Sequence, residues 1–186
     1  DSIRKYCGMI NDEGLRLISL IEDIMRLSKI EEKIGLDDKK VINLKKSADN
    51  VISLLQSKAD SLNVKIYLEA EDAFENYINE LLYNLVDNAI KYNKNGGTAD
   101  VIIKKDTDYI YVTVKDTGVG IPEEQQGRIF ERFYRVDKSR SKGIGEIGGT
   151  GLGLSIVKHI AELYDGTIQL KSTEHEGTEI TVRFPQ

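Results

Sequence analysis

The sequence predicts an α+β fold: a two-layer α/β sandwich, with helices on one face of an antiparallel sheet, preceded by a long coiled-coil-like helix. Three observations carry this expectation. Residues 2–34 hold apolar side chains at seven-residue spacing, and a polar run Asp37-Asp38-Lys39-Lys40 follows. Two pairs of segments with strand character, 99–105 with 109–115 and 167–171 with 178–184, are each joined by a short turn. The segments between them repeat apolar residues at helical spacing.

The first helix is expected over 2–34. Ile3, Ile10, Leu17 and Ile24 form one register, and Tyr6, Leu20, Leu27 and Ile34 fill a second. Such a seam needs a partner helix. Gly14 weakens it by about 1 kcal/mol relative to alanine. Gly35 is placed to stop it. The seam and the polar run favour a separate helical module over 1–35, with a mixed domain over 36–186.

That domain opens with a short strand over 43–46 and a helix over 47–60 bearing Val51, Ile52, Leu54 and Leu55. A strand follows over 64–68. The next helix, 74–92, buries Ile78, Leu81, Leu82, Leu85, Val86 and Ala89. The Asn95-Gly96-Gly97 turn leads into the first hairpin. Residues 118–150 carry glycine, charge and only short apolar pieces, the pattern of a functional lid. A helix over 152–164 and the second hairpin complete the chain.

Composition narrows the function. The chain has 186 residues, 31% charged and 40% hydrophobic, as in an ordinary globular protein. A net charge of −5 gives no electrostatic footprint for nucleic acid. The single cysteine, Cys7, excludes an internal disulfide and fits a reducing compartment. No apolar run approaches the roughly 20 residues of a membrane span, and no signal peptide is visible. The chain opens at Asp1 within a helix, so a fragment is expected, with any membrane anchor upstream.

Three short signals bear chemistry. Glu80, Asn84 and Asn88 are four apart and so share one side of a helix. Asparagine oxygens suit Mg²⁺, which takes few protein ligands alongside phosphates; Glu80 could orient a water or hydroxyl. Lys91 and Tyr92 add a cation for phosphate and an aromatic face for a base. Asp116-Thr117-Gly118-Val119-Gly120 ends a strand. A carboxylate there can accept from an exocyclic amine, and the glycines let backbone approach a flat base. Gly148-Gly149-Thr150-Gly151-Leu152-Gly153 runs into a helix N-terminus, whose free N–H groups favour an anion. It lacks the Gly-Lys-Ser/Thr ending of a P-loop. Taken alone, each signal is ordinary: a capped turn, a strand end, a flexible linker. In this order they describe a site for a nucleoside triphosphate and its metal. Between them, Phe130-Glu131-Arg132-Phe133-Tyr134-Arg135 offers aromatics to pin a lid to the core and Arg135 to reach a terminal phosphate. Lys138, Arg140 and Lys142 add charge nearby.

Together these residues resemble the ATP-binding catalytic domain of bacterial sensor histidine kinases, in the gyrase–Hsp90–histidine kinase–MutL superfamily with its Bergerat-type ATP-binding fold. Glu80, Asn84, Asn88, Lys91 and Tyr92 look like its N box, 116–120 its G1 box, 130–135 its F box and 148–154 its G2 box. The segment 17–31 resembles the second helix of the dimerisation and phosphotransfer hairpin. The resemblance implies ATP and Mg²⁺ as cofactors. Asn84 and Asn88 would hold the metal and phosphate oxygens, with Lys91 on phosphate. Asp116 would bind the adenine amino group, Gly118 and Gly120 would shape the base pocket, and Tyr92 would stack near the base. Arg135 would contact the terminal phosphate. Gly149, Gly151 and Gly153 would let the lid fold, with Thr150 and Leu152 supplying backbone donors. Glu80, Asn84 and Arg135 are the expected catalytic residues.

The implied activity is that of a two-component kinase: the ATP γ-phosphoryl group passes to a histidine, then to an aspartate of a response regulator. The implied setting is a homodimer through its helical hairpins, in the cytoplasmic part of a membrane-anchored sensor. The chain's two histidines, His159 and His175, lack the acceptor's setting on a first hairpin helix. The acceptor is therefore expected outside this chain. An ATPase or serine/threonine-directed kinase of the same superfamily and a nucleotide-sensing module are the alternatives.

Overall fold

A computed structural model describes residues 2–32, 43–70, 78–136 and 150–186. Its elements run α1 (Ser2–Glu32), α2 (Leu44–Ser61), β1 (Lys65–Ala70), α3 (Ile78–Lys91), β2 (Thr98–Lys105), β3 (Tyr109–Asp116), α4 (Glu123–Gln126), α5 (Gly153–Leu163), β4 (Thr167–Thr173) and β5 (Gly177–Pro185). The expected stop at Gly35, the polar run 37–40 and the first turn of the 74–92 helix lie outside the described residues.

The five strands form one sheet in the order β1-β2-β3-β5-β4. It is mixed rather than antiparallel, because β1 pairs with β2 in parallel. The reason is connectivity. β1 and β2 are joined through α3, and a crossover helix returns the chain to the same end of the sheet. The other three pairings are antiparallel. Alternation then divides the two faces of the sheet. Val101 and Ile103 of β2, Val112 and Val114 of β3, and Ile180, Val182 and Phe184 of β5 are buried beneath the helices. Val112 sits opposite both Ile103 and Val182 in the ladder, so the middle of the core is fixed by register.

The helical layer is α2, α3 and α5. Its leucine-rich member, α3, buries Ile78, Leu81, Leu82, Leu85 and Val86 between sheet and neighbours. α5 adds Ile156, Val157, Ile160 and Ala161. α2 begins at Leu44, which overturns the short strand expected over 43–46. The Asn43 side chain accepts from the Lys46 backbone N–H at 3.0 Å. This N-cap satisfies an otherwise orphan donor and starts the helix. Leu44 is then carried into the core.

α1 matches the expected long helix. Its heptad stripe is open: Ile10 is 73% exposed, and Tyr6, Leu17 and Ile24 are exposed with it. Leu20 instead packs against the domain core. The first part of the 118–150 connection has structure of its own, with α4 followed by turns that bury Ile129.

Leu82 is fully buried and Asn43 caps an exposed helix end. We expect Leu82→Ala to cost about 2–5 kcal/mol through the cavity it leaves. Asn43→Ala should cost about 1 kcal/mol. Urea unfolding midpoints of the two variants test that ranking.

Candidate functional site

The site forms where α3 and α5 meet, beside the end of β3. Four-residue spacing sets Asn84 and Asn88 one turn apart on α3. Asn84 is only 7% exposed. Its amide donates to the Glu80 carbonyl at 2.7 Å. That bond fixes the rotamer and leaves the oxygen Oδ1 turned toward α5. A side chain at Gly153 would place its Cβ 2.9 Å from Asn84 Oδ1 and 3.7 Å from Asn88 Nδ2. Glycine keeps the asparagine pair in this arrangement, because the first residue of α5 lies against it. The start of α5 has no side-chain cap hydrogen bond. Its orphan N–H groups and helix dipole therefore face outward at the asparagines' edge.

Thr150 and Gly151 lead into that terminus. Gly151 has φ +78°, and an added Cβ would lie 2.7 Å from the Phe133 carbonyl carbon. The Phe133 N–H donates to the Gly151 carbonyl at 2.9 Å. So the 130–135 segment and the glycine-rich loop are joined by backbone. Of the aromatics expected to pin the lid, Phe133 does not, being 60% exposed, whereas Phe130 and Tyr134 are half-buried beside the buried Ile129. Phe133 itself has φ +65°, which turns its side chain outward. Tyr134 is held by Arg128, whose guanidinium stacks 4.4 Å from its ring.

Asp116 closes β3. Its Oδ1 accepts from Gly118 N at 2.8 Å and Thr178 N at 3.3 Å. Both bonds fall on one oxygen, and among the described residues Oδ2 accepts none. Burial raises the Asp116 carboxyl to about 6, against the opposing pull of those two N–H groups. Gly118 is forced by closeness, since its Cβ would meet the Tyr92 carbonyl at 2.2 Å. Val119 N donates to that same carbonyl at 3.0 Å. The end of α3 and the turn after β3 are thus locked together. Gly120, at φ +65°, lies against the Thr173 carbonyl of the second hairpin.

Cations gather beside the end of α3. Burial lowers Lys91 to about 8, partly offset by Asp87. Its Nζ lies 5.4 Å from the Tyr92 ring centroid. Burial raises the Tyr92 hydroxyl, and the Arg135 charge acts on both Tyr92 and Lys91. Of the expected site residues, the structure brings together Asn84, Asn88, Gly153, Lys91, Tyr92 and Arg135, with Asp116, Gly118 and Gly120 on the adjoining turn. Leu152 is buried, and its N–H lies 3.3 Å from Thr150 Oγ1. The Glu80 role that is visible belongs to its carbonyl, which holds Asn84. Gly148, Gly149, Lys138, Arg140 and Lys142 lie outside the described residues.

Four supporting residues carry no signal at the level of a motif. Asn93 donates to the Ala89 and Thr98 carbonyls, and Thr117 Oγ1 accepts from Thr98 N. Ser172 Oγ accepts from Ile121 N and donates to the Gly177 carbonyl, each at 2.9 Å. Gln126 spans the Ile121 and Ser172 carbonyls. These clamps hold the turn after Asp116 against both hairpins. Thr117, Ser172 and Gln126 each have a partner 19 to 51 residues away, which only the fold reveals.

The raised Asp116 carboxyl has a consequence for stability. Its folded pKa of about 6 exceeds the ordinary carboxyl value, so the charged form opposes folding. That penalty is absent at low pH, grows as pH rises toward 6, and stays constant above. Asp116→Asn keeps an acceptor for both N–H groups without the charge. We expect the variant's stability advantage in urea unfolding to widen from about pH 5 to about pH 8.

Residues 74–186 match the family described as histidine kinase-, DNA gyrase B- and HSP90-like ATPases. The chain is 33% identical over its whole length to the sensor-like histidine kinase SenX3 of Mycolicibacterium smegmatis, of which it covers 49%. It spans between 25% and 49% of the length of the first curated relatives it matches. A nucleotide-free catalytic domain of histidine kinase ThkA aligns with 78% of this chain and 96% of its own, at 28% identity and a TM-score of 0.65. The structure of ThkA in complex with the response regulator TrrA covers all of this chain, and 52% of that one, with a TM-score of 0.71 at 22% identity. With its layered fold and the meeting of its three motifs, the chain belongs to the histidine kinase-, DNA gyrase B- and HSP90-like ATPase family.

Proposed function

We propose that this chain is the ATP-binding catalytic region of a two-component sensor histidine kinase. It would donate the ATP γ-phosphoryl group to a histidine outside residues 1–186, for relay to an aspartate of a response regulator. The observation that carries the reading is the contact of Gly153 with Asn84 and Asn88. It places two amide side chains against an uncapped helix N-terminus, the combination a metal-bound triphosphate needs. The named histidine kinase relatives and the ThkA complex with its regulator support the kinase class and the relay.

The residues fit Mg²⁺ in their chemistry. Asn84 spends its amide N–H on Glu80 and keeps a carbonyl oxygen for a hard cation. Mg²⁺ would neutralise phosphate charge as the γ-phosphoryl group departs. Asn84 and Asn88 hold phosphate oxygens and the metal in this reading. Lys91, Arg135 and Thr150 take the phosphates, and the α5 start, with Leu152 and Gly153, presents N–H groups to them. Gly149 and Gly151 serve the folding of the loop. Asp116 Oδ2 accepts from the adenine amino group. Gly118 and Gly120 bring backbone to the base, and Tyr92 flanks it. Glu80 and Arg135 complete the catalytic set with Asn84. Catalysis then rests on positioning and electrostatic stabilisation.

Residues 1–35 form, in this reading, the second helix of a dimerisation hairpin, and 36–186 the catalytic domain. The open apolar stripe of α1 supports a homodimer through that hairpin in the longer protein. Among the described residues no helix is long and apolar enough to cross a membrane. A cytoplasmic position beneath a membrane-anchored sensor is our expectation from the sensor relatives.

Asn84→Ala and Asn88→Ala should each abolish Mg-ATP binding or turnover. Isothermal calorimetry with unchanged affinity, together with unchanged phosphoryl transfer, would refute the site. Wild-type chain mixed with Mg-ATP and a separate histidine-bearing hairpin should yield acid-labile phosphate on that hairpin. Absence of transfer while ATP is hydrolysed would favour a plain ATPase.

Nucleotide affinity should also fall with pH below about 6, as the Asp116 carboxyl protonates. Asp116→Asn removes this component. The nucleotide's own titration is common to both proteins, so the difference between their calorimetric pH profiles isolates the carboxylate.

A further inference from the structure

One charged contact ties α1 to the phosphate side of the site. Thr150 Oγ1 donates to Asp23 Oδ2 at 2.5 Å, across 127 residues of chain. Leu20, one turn earlier on α1, packs against the domain core and anchors the approach. Asp23 is half-buried, and its negative charge reaches Lys91 together with that of Asp87. Thr150 has one hydroxyl proton to give. While it points to Asp23, it cannot point to a phosphate oxygen. The carboxylate therefore holds the same hydroxyl and sits in the same cationic field that a triphosphate would use.

We propose that Asp23 competes with the nucleotide's phosphates, so that docking of α1 on the domain and binding of ATP oppose one another. This rests on the nucleotide reading of the site. The competition has two parts, loss of the Thr150 donor and repulsion between a carboxylate and polyanionic phosphate. Because coupling between two binding events is reciprocal, ATP would loosen α1, and any force drawing α1 away would tighten ATP binding. α1 would thereby gate the phosphate donor.

The test uses the full chain. Asp23→Asn keeps the shape of the side chain and removes its charge. Calorimetry should show Mg-ATP affinity raised on the order of fivefold. Glu22→Gln removes a neighbouring exposed charge that lies off this contact, and affinity should stay at the wild-type value. A fluorophore on Cys7, the only cysteine and exposed on α1, reads docking separately. Its anisotropy should fall when a non-hydrolysable Mg-ATP analogue is added to wild type. Asp23→Asn should start from the lower value. Equal or weaker affinity in Asp23→Asn overturns the competition, since weaker binding would mean that Asp23 prepares Thr150 for the nucleotide. An equal rise in Glu22→Gln would reduce the effect to general charge and overturn it too. A wild-type chain that binds no Mg-ATP would refute the nucleotide reading itself, a result separable from failure of the Asp23 contact alone.

Discussion

Everything in the candidate site depends on how closely α5 approaches α3. The two helices pack side by side over one face of the sheet, and Gly153 lets the first turn of α5 touch the Asn84 amide. One methyl group there would meet Asn84 Oδ1 at 2.9 Å, so the amide would have to turn and give up its place against α5. The core enforces the approach from below. Leu81, Leu82 and Val86 of α3 and Ile156, Val157 and Ile160 of α5 are all buried, so neither helix can withdraw without exposing apolar surface. Polar precision at the top is therefore set by apolar packing underneath.

That arrangement works against itself electrostatically. Burial lifts the Asp116 carboxyl and lowers the Lys91 ammonium, so both charges are held where the fold disfavours them. Neither is relieved by a direct ion pair with the other. Asp116 has two N–H donors on one oxygen, while Lys91 sits among Asp87, Lys58 and Arg135. Ionisable groups displaced in this way are candidates for meeting a ligand, and the nucleotide reading proposed above would give an amine to the first and phosphate to the second. The hydrophobic core offsets the strain. Residues distant in sequence help to fix the turn after Asp116, among them Ser172.

The legible part of the chain was the part written in local periodicity. The leucine spacing of α3 and the alternation of β3 and β5 marked their elements to within a few residues. The motif residues were legible too, because Asn84, Asn88 and the glycines are chemically unusual where they stand. Most of the misses were tertiary. Residues 43–46 look extended until the Asn43 cap is seen. The strand β1 has no hairpin partner, so its parallel pairing depends on where α3 returns the chain. Phe133 looks like a core aromatic, yet its positive φ turns the ring outward and leaves its backbone to do the tethering. Ser172 and Thr117 are unremarkable in sequence because their partners lie on other strands and turns.

The position of Asp23 on α1 bears on whether its contact with Thr150 is compatible with a bundle. At about 100° per residue, Ile10, Leu17 and Ile24 lie within about 40° of one another. Asp23 stands about 100° or more around the helix from all three. Leu20 lies between, and it turns to the domain rather than to the open stripe. A partner helix could thus cover the stripe and leave the Asp23 flank against the domain. Dimerisation alone would not release Thr150. Release requires α1 to rotate or slide, by enough to move Leu20 from the core and lengthen a 2.5 Å hydrogen bond. A rotation of α1 is a motion that a long helical lever can transmit, and the Leu20–Asp23 edge would convert it into a change at Thr150.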